Sequence, residues 1–163
     1  MRKLAVAALV FASLGLSACG FTPLYATPGV SPTLASIDVM VPDGRAAYLL
    51  REHLDDAMAR NLSVPAAYRL ELTIDEARYP RGVRVDNVAN RYELRLTANY
   101  KLVEKASGGV LRTGVAQAVV SYNSADQPYA GIAAQQDGQD RAAAEVARKI
   151  QIDLASWLAR QTG

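Results

Sequence analysis

The residue best suited to a defined reaction is Cys19, the only cysteine of the 163-residue chain. It directly follows Leu16-Ser17-Ala18, and upstream lie Arg2, Lys3 and an apolar run over residues 4–16. A positive start, a short apolar stretch and small residues at a cleavage point are typical of a secretory signal. The run is shorter than the roughly 20 residues that cross a bilayer. The arrangement predicts lipoprotein processing, in which the Cys19 thiol receives a diacylglyceryl group and the chain is cleaved before it.

The alternative is an unmodified thiol, buried or unpaired in an exported protein. Acyl chains, at about 0.8 kcal/mol per buried CH₂, would instead hold the processed protein on a membrane without a spanning segment. Gly20 follows the cysteine at a position where Asp favours retention at the inner membrane, so we expect sorting to the outer membrane.

The predicted processing sets the domain organisation. We expect a lipoprotein signal peptide over residues 1–18, a lipidated N-terminal tether over residues 19–33 and a single α+β domain over residues 34–163. The prolines and glycine of residues 26–33 disfavour helix and favour extended or turn structure.

The charge balance argues against a nucleic-acid partner. Arg2 and Lys3 account for the formal net charge of +2, because residues 1–18 contain no acidic side chain. The processed chain would therefore carry equal numbers of basic and acidic residues, without the overall positive field that nucleic-acid binding needs. A basic surface would have to be a local patch.

Few residues suggest catalysis. His53 is the only histidine and lies on or beside the apolar stripe of a predicted helix, where a satisfied, partly buried side chain is the simplest interpretation. The chain has no Gly-x-Ser-x-Gly nucleophile turn, no set of metal ligands and no phosphate loop that opens a helix. We therefore predict a protein that is not an enzyme and has no metal or cofactor.

Four arginines stand out above this background. Arg78, Arg81, Arg84 and Arg91 lie in and around the predicted loop that joins the second and third strands. Guanidinium groups bind phosphate or carboxylate with two parallel hydrogen bonds, so this end of the hairpin is a candidate site for an anionic lipid headgroup or a sugar phosphate. The alternative is an ordinary solvated hairpin tip.

The hydrophobic pattern predicts six elements. Alternating residues indicate strands, a stripe at helical spacing indicates each helix, and Ser107-Gly108-Gly109 is typical of a hairpin turn. The predicted elements are a strand over residues 34–41, a helix capped by Asp43 and ending near Asn61, strands over 68–75, 91–102 and 110–122, a loop over 123–138, and a helix over 139–160 capped by Asp137 or Asp140.

This order, β-α-β-β-β-α, predicts a two-layer sandwich in which two helices pack on one face of a mainly antiparallel four-stranded sheet. The other face would remain uncovered. Its predicted polar residues include Arg69, Glu71, Arg91, Glu93, Arg95 and Lys101.

Several segments together resemble a known family. The chain resembles LptE, the lipopolysaccharide-assembly lipoprotein family, in five features. These are the start Cys19-Gly20-Phe21-Thr22-Pro23-Leu24-Tyr25, the strand opening Arg91-Tyr92-Glu93-Leu94, the strand segment Tyr100-Lys101-Leu102, the glycine hairpin and the amphipathic C-terminal helix. The resemblance implies a non-enzymatic lipoprotein of the cell outer membrane that carries palmitate on its cysteine. The protein would face the periplasm or lie within a barrel lumen. It implies a plug and assembly partner of the barrel LptD that helps lipopolysaccharide reach the outer leaflet.

With this resemblance, the four arginines become candidates for lipopolysaccharide binding, and the uncovered sheet face becomes the candidate barrel-contact face. Two other functions remain open. One is an auxiliary lipoprotein of an ABC-type lipid transport system, and the weaker one is an envelope hydrolase that would use His53 and carboxylates of the first helix.

Overall fold

The computed structural model describes residues 28–83, 89–123 and 128–162. Cys19, residues 20–25 and Arg84 lie outside this part of the chain. The elements in the described residues are α1 (Val30–Ala35), β1 (Ile37–Met40), α2 (Arg45–Ala57), β2 (Tyr68–Val83), β3 (Ala89–Glu104), β4 (Val110–Asn123) and α3 (Pro128–Thr162). Among the described residues, no helix is both long and apolar enough to cross a membrane.

The four strands form one sheet in the order β1-β2-β3-β4. β1 is parallel to β2, whereas β2–β3 and β3–β4 are antiparallel, so the sheet is mixed. Two parallel neighbours need a crossover connection, and α2 supplies it between β1 and β2. The predicted α+β fold with a four-stranded sheet and helices on one side is confirmed.

Alternation along the strands produces the core. Leu94, Leu96 and Ala98 of β3 are buried, and their neighbours in the sequence point to the opposite side of the sheet. α3 contributes Ile150 and Leu154 to the same hydrophobic cluster. Because one side of each long strand is apolar, the helices cover that side and leave the other side to solvent.

The short helix α1 differs from expectation. Residues 26–33 were expected to hold no helix, and this is wrong for Val30–Thr33. Pro32 falls in the first turn of α1, where a missing N–H interrupts no helical hydrogen bond. Val30 and Leu34 are buried in the core, so tertiary packing stabilises a helix that is too short to persist alone.

Two other helix boundaries also differ. α3 begins at Pro128, so most of the loop predicted over residues 123–138 is helical, and Asp137 and Asp140 lie inside the helix instead of capping it. Proline is well tolerated at the first helical position. The cap predicted at Asp43 is also wrong, because the N-cap of α2 is Gly44 and no side chain bonds to the first turn.

The antiparallel strands define two ends of the domain. Val83, Ala89 and Asn123 lie at what we call the distal end, since they are the last or first residues of paired strands. Tyr68 and Glu104 are paired at the opposite, proximal end. Each 16-residue strand spans about 50 Å at roughly 3.3 Å per residue.

Candidate functional site

The candidate site is the open face, which we define as the side of the sheet opposite the helices. Strand parity places on it all six residues predicted for barrel contact: Arg69, Glu71, Arg91, Glu93, Arg95 and Lys101. The register sets Glu71 opposite Lys101 and Arg91 opposite Arg81. The predicted face therefore exists as one continuous surface of β2, β3 and β4.

Ion pairs organise the charges of this face. Glu93 accepts from Arg81 at 3.2 Å and lies 3.6 Å from the Arg95 guanidinium. Arg69 and Glu71 form a second pair at 2.7 Å. These groups are partly exposed, so each pair contributes little to stability. Their effect is to fix the positions of charges on a polar surface.

Tyr79 is a member of this face that the sequence analysis missed. The guanidinium carbons of Arg95 and Arg81 lie 5.2 Å and 5.9 Å from the centroid of its ring. β2 was predicted to end near residue 75, which left Tyr79 in a loop. Ala77 and Tyr79 alternate with Glu76 and Arg78, and this two-residue period is the signal that the strand continues.

A hollow of about 320 Å³ lies in the proximal half of the face. Glu71 and Lys101 are on its lining, together with Thr73 and Val115. Val115 is largely exposed and adds apolar surface next to the opposed charges. A hollow of this composition is suited to a partner's side chain that has both an apolar and a polar part.

The four arginines do not form one patch. Arg78 and Arg81 lie in β2, so their predicted position in a loop is wrong, whereas Arg91 lies in β3, where a strand was predicted. Arg78 is on the helix side of the sheet, where it donates to Gln135 at 2.5 Å and lies over the ring of Tyr92. Arg84 is outside the described residues.

Arg81 and Arg91 remain together on the open face at the distal end. They line a hollow of about 490 Å³ with Gly82, Asn90 and Asn123. Gly82 has a positive φ of 63°, and a Cβ there would collide with the Asn90 side chain. The guanidinium groups of Arg81 and Arg91 and the side-chain amides of Asn90 and Asn123 are suitable hydrogen-bond donors to a phosphate.

A polar brace supports the face from the helix side. Asp153 of α3 accepts from the Tyr100 hydroxyl at 2.5 Å and from Nε and Nη2 of Arg112 at 3.1 and 2.8 Å. The hydrogen bond from Arg112 lowers the pKa of the Asp153 carboxyl. Burial, followed by the bond to Asp153, raises the pKa of the Tyr100 hydroxyl. Tyr100 lies over Gly114, where a Cβ would collide with its ring.

No arrangement suited to catalysis emerges from the described residues. His53 Nε2 lies 2.9 Å from Asp140 Oδ1, which joins α2 to α3 and agrees with a satisfied histidine. Within residues 28–83, 89–123 and 128–162, no group of three or more His, Cys, Asp or Glu side chains is arranged to hold a metal ion.

Comparison with known proteins identifies the family. The family described as "LptE: Lipopolysaccharide-assembly" matches residues 33–154. The chain belongs to the LptE family. Membership makes it a lipopolysaccharide-assembly lipoprotein.

One solved structure is similar to this chain in sequence as well as in fold. A Caulobacter crescentus CB15 protein described as a lipoprotein has 55% sequence identity and a TM-score of 0.73, over 83% of this chain and 98% of that one. No curated protein matches this chain.

Two more distant structures share the fold alone. The rare lipoprotein B of Shewanella oneidensis is 15% identical, with a TM-score of 0.58 over 78% of this chain and 98% of that chain. Lipoprotein B of Nitrosomonas europaea is 10% identical, with a TM-score of 0.56 over 76% and 83% of the two chains.

Proposed function

We propose that this LptE-family lipoprotein is the plug and assembly partner of the outer-membrane barrel LptD. In this non-enzymatic role it assists the insertion of lipopolysaccharide into the outer leaflet. The observation that carries the proposal is the open face, a long sheet surface of fixed, mixed charge that no described helix covers.

The composition of the open face suits a barrel lumen. The interior of a large outer-membrane barrel is polar and wet, whereas a dry protein interface excludes charged residues from its centre. Arg95 and Glu93 lie near the middle of β3, and Tyr79 and Val115 add aromatic and apolar contact area. Such a surface can exchange hydrogen bonds with a polar wall without losing its own ion pairs.

The length of the strands suits the same role. β2 and β3 span about 50 Å, which exceeds the roughly 30 Å hydrocarbon thickness of a bilayer. A sheet inserted lengthwise would therefore meet the barrel wall over its whole height. The distal hollow with Arg81 and Arg91 would then lie at one mouth of the barrel, where it can contact the phosphates of lipopolysaccharide.

Location follows from the N-terminal sequence. Cleavage before Cys19 and its acylation would anchor the protein in the outer membrane. The domain would face the periplasm or occupy the barrel lumen.

Co-purification tests barrel association. Arg69→Glu with Arg95→Glu should reduce the LptD recovered with the protein by about tenfold or more, because reversed charges oppose the partner surface. The control reverses Arg51 and Arg148, which are about equally exposed but lie on the helices. Circular dichroism should show that both variants fold. Equal recovery of LptD with the two variants would mean that the open face is not the interface.

Lipopolysaccharide binding is tested separately. Arg81→Glu with Arg91→Glu should abolish most binding of purified lipopolysaccharide, whereas Arg78→Glu should retain it because Arg78 lies on the other side of the sheet. If Arg78→Glu weakens binding as much as the double variant, the distal hollow is not the site.

A further inference from the structure

Two loops expose large apolar side chains that contribute neither to the core nor to the six-residue candidate contact set. Between α2 and β2, Leu62 is 87% exposed and Val64 is 42% exposed. Directly after the hairpin turn between β3 and β4, in the first two residues of β4, Val110 is 57% exposed and Leu111 is 39% exposed. Single exposed apolar residues are common, but two adjacent loops that each present a pair are characteristic of a contact surface.

Both loops lie at the proximal end, beside the residues through which the chain enters the domain. The Asn61 amide and Arg60 Nη1 donate to the carbonyl of Ala35, the last residue of α1, at 3.2 and 3.0 Å. The Lys105 amide donates to the Ala67 carbonyl at 3.0 Å, which joins the hairpin to the other loop. α1 and the two loops therefore form one hydrogen-bonded end of the domain.

The length of chain before α1 restricts what this end can meet. Gly29 lies ten positions after Cys19, and an extended chain over that distance reaches at most about 35 Å. Arg81 lies thirteen residues along β2 from Tyr68, so Arg81 is about 43 Å from the proximal end. Acyl chains on Cys19 would consequently hold the proximal end close to lipid, while the distal hollow can lie far from it.

Basic residues accompany the apolar ones. Lys105 is in the hairpin turn, 3.7 Å from Asp38, and Arg60 is in the α2–β2 loop, where it donates to the Ala35 carbonyl. α3 runs antiparallel to β4, because Arg141 donates to the Ser121 carbonyl near the start of α3 and Arg112 pairs with Asp153 farther along it. Arg160 in the last turn of α3 therefore also lies toward this end. Apolar side chains with cations beside them match the interfacial region of a bilayer that contains anionic lipid.

We propose that the proximal end is a membrane-contact surface. Leu62, Val64, Val110 and Leu111 insert into the interfacial region of a phospholipid leaflet, next to the acyl chains on Cys19. This inference rests on the lipid anchor of the proposed function. Each of these side chains would bind lipid weakly by itself. The anchor keeps the domain next to the bilayer, so the local concentration of lipid is high and weak contacts are enough to orient the domain.

Site-directed spin labelling tests the proposal on the acylated, processed protein in vesicles of phosphatidylethanolamine and phosphatidylglycerol. With Cys19 acylated, L62C and L111C each provide a single thiol for a nitroxide. Y129C is the control, because Tyr129 is 88% exposed and follows β4 at the distal end. The labels at 62 and 111 should be about fivefold less accessible to a water-soluble nickel chelate than the label at 129, since interfacial insertion excludes it.

Equal accessibility at all three positions would overturn the proposal. Shielding that rises with the ratio of protein to lipid would also overturn it, because it would indicate contact between copies of the chain. The mass of the N-terminal peptide reports the anchor separately. An unmodified Cys19 would contradict the lipoprotein part of the proposed function, whereas acylated protein with accessible labels would contradict only the contact surface.

Discussion

Replacement of Asp153 tests whether the brace behind the open face holds α3 to the sheet. Asp153→Ala removes the acceptor of the Tyr100 hydroxyl and the partner of Arg112. Tyr100 is 4% exposed, so its hydroxyl has little access to water as a replacement partner. We therefore expect a larger loss of stability than an ordinary surface ion pair would give.

The size of the effect follows from the two contacts. An unsatisfied buried hydroxyl costs about 1–3 kcal/mol. The side chains of Arg112 and Asp153 are 35% and 32% exposed, so solvent screening limits their pair to about 0.5–1 kcal/mol. Together these contacts predict a loss of about 1.5–4 kcal/mol in the free energy of unfolding. For a domain of this size, that corresponds to a decrease of about 3–15 °C in Tm.

Urea unfolding of Asp153→Ala and Asp137→Ala measures this difference. Asp137 is the matched control, because it lies on the same helix and pairs with Arg141 at 2.8 Å, but its side chain is 65% exposed. We expect Asp137→Ala to change the free energy of unfolding by no more than about 0.5 kcal/mol. In a Tyr100→Phe background, the effect of Asp153→Ala should become smaller, since the hydroxyl is already absent. Equal effects of the two alanine variants would refute the brace.

Three other outcomes are expected. Cys19→Ala should leave the precursor uncleaved and unacylated, as judged by intact mass, and a normally processed product would contradict the lipoprotein assignment. Gly114→Ala should lower the free energy of unfolding by about 1–3 kcal/mol, because the added methyl group displaces the buried Tyr100 ring, and an unchanged urea midpoint would show that the ring can shift without cost. The lowered pKa of Asp153 means that its stabilising effect is present above the ordinary carboxyl pKa of 3.8 and is lost as the pH falls through the lower native value. Between pH 6 and pH 2, the free energy of unfolding of Asp153→Asn should therefore fall less than that of the parent chain. An equal fall in the two proteins would contradict this role of the carboxylate.

Much of the sheet was predictable because its signal is local. Leu70 and Leu72 alternate with Arg69 and Glu71, and a strand with one buried side requires that pattern. The extension of β2 through Pro80 was not predicted. Proline is tolerated there because β1 pairs only with the first four residues of β2, so the rest of that edge has no described strand neighbour.

The candidate site was predictable only in part. The six open-face residues were assigned correctly to one side, because parity within a strand needs no knowledge of the partner strand. Arg78 and Arg81 were grouped as neighbours in a loop. Once β2 is known to continue, the same parity places them on opposite sides, with Arg78 beside Gln135 of α3.

The sequence alone determined what a short stretch of chain can specify: the lipoprotein-type pattern before Cys19, which predicts its processing, the alternation of the long strands and the amphipathic stripe of α2. The tertiary structure decided the features that depend on residues far apart in the chain. α1 forms because Val30 and Leu34 have a core to enter, and the brace forms because α3 returns along β4 and brings Asp153 to Tyr100, 53 residues away. Such contacts leave no periodic trace in the sequence, because their geometry exists only once the sheet and helix have packed.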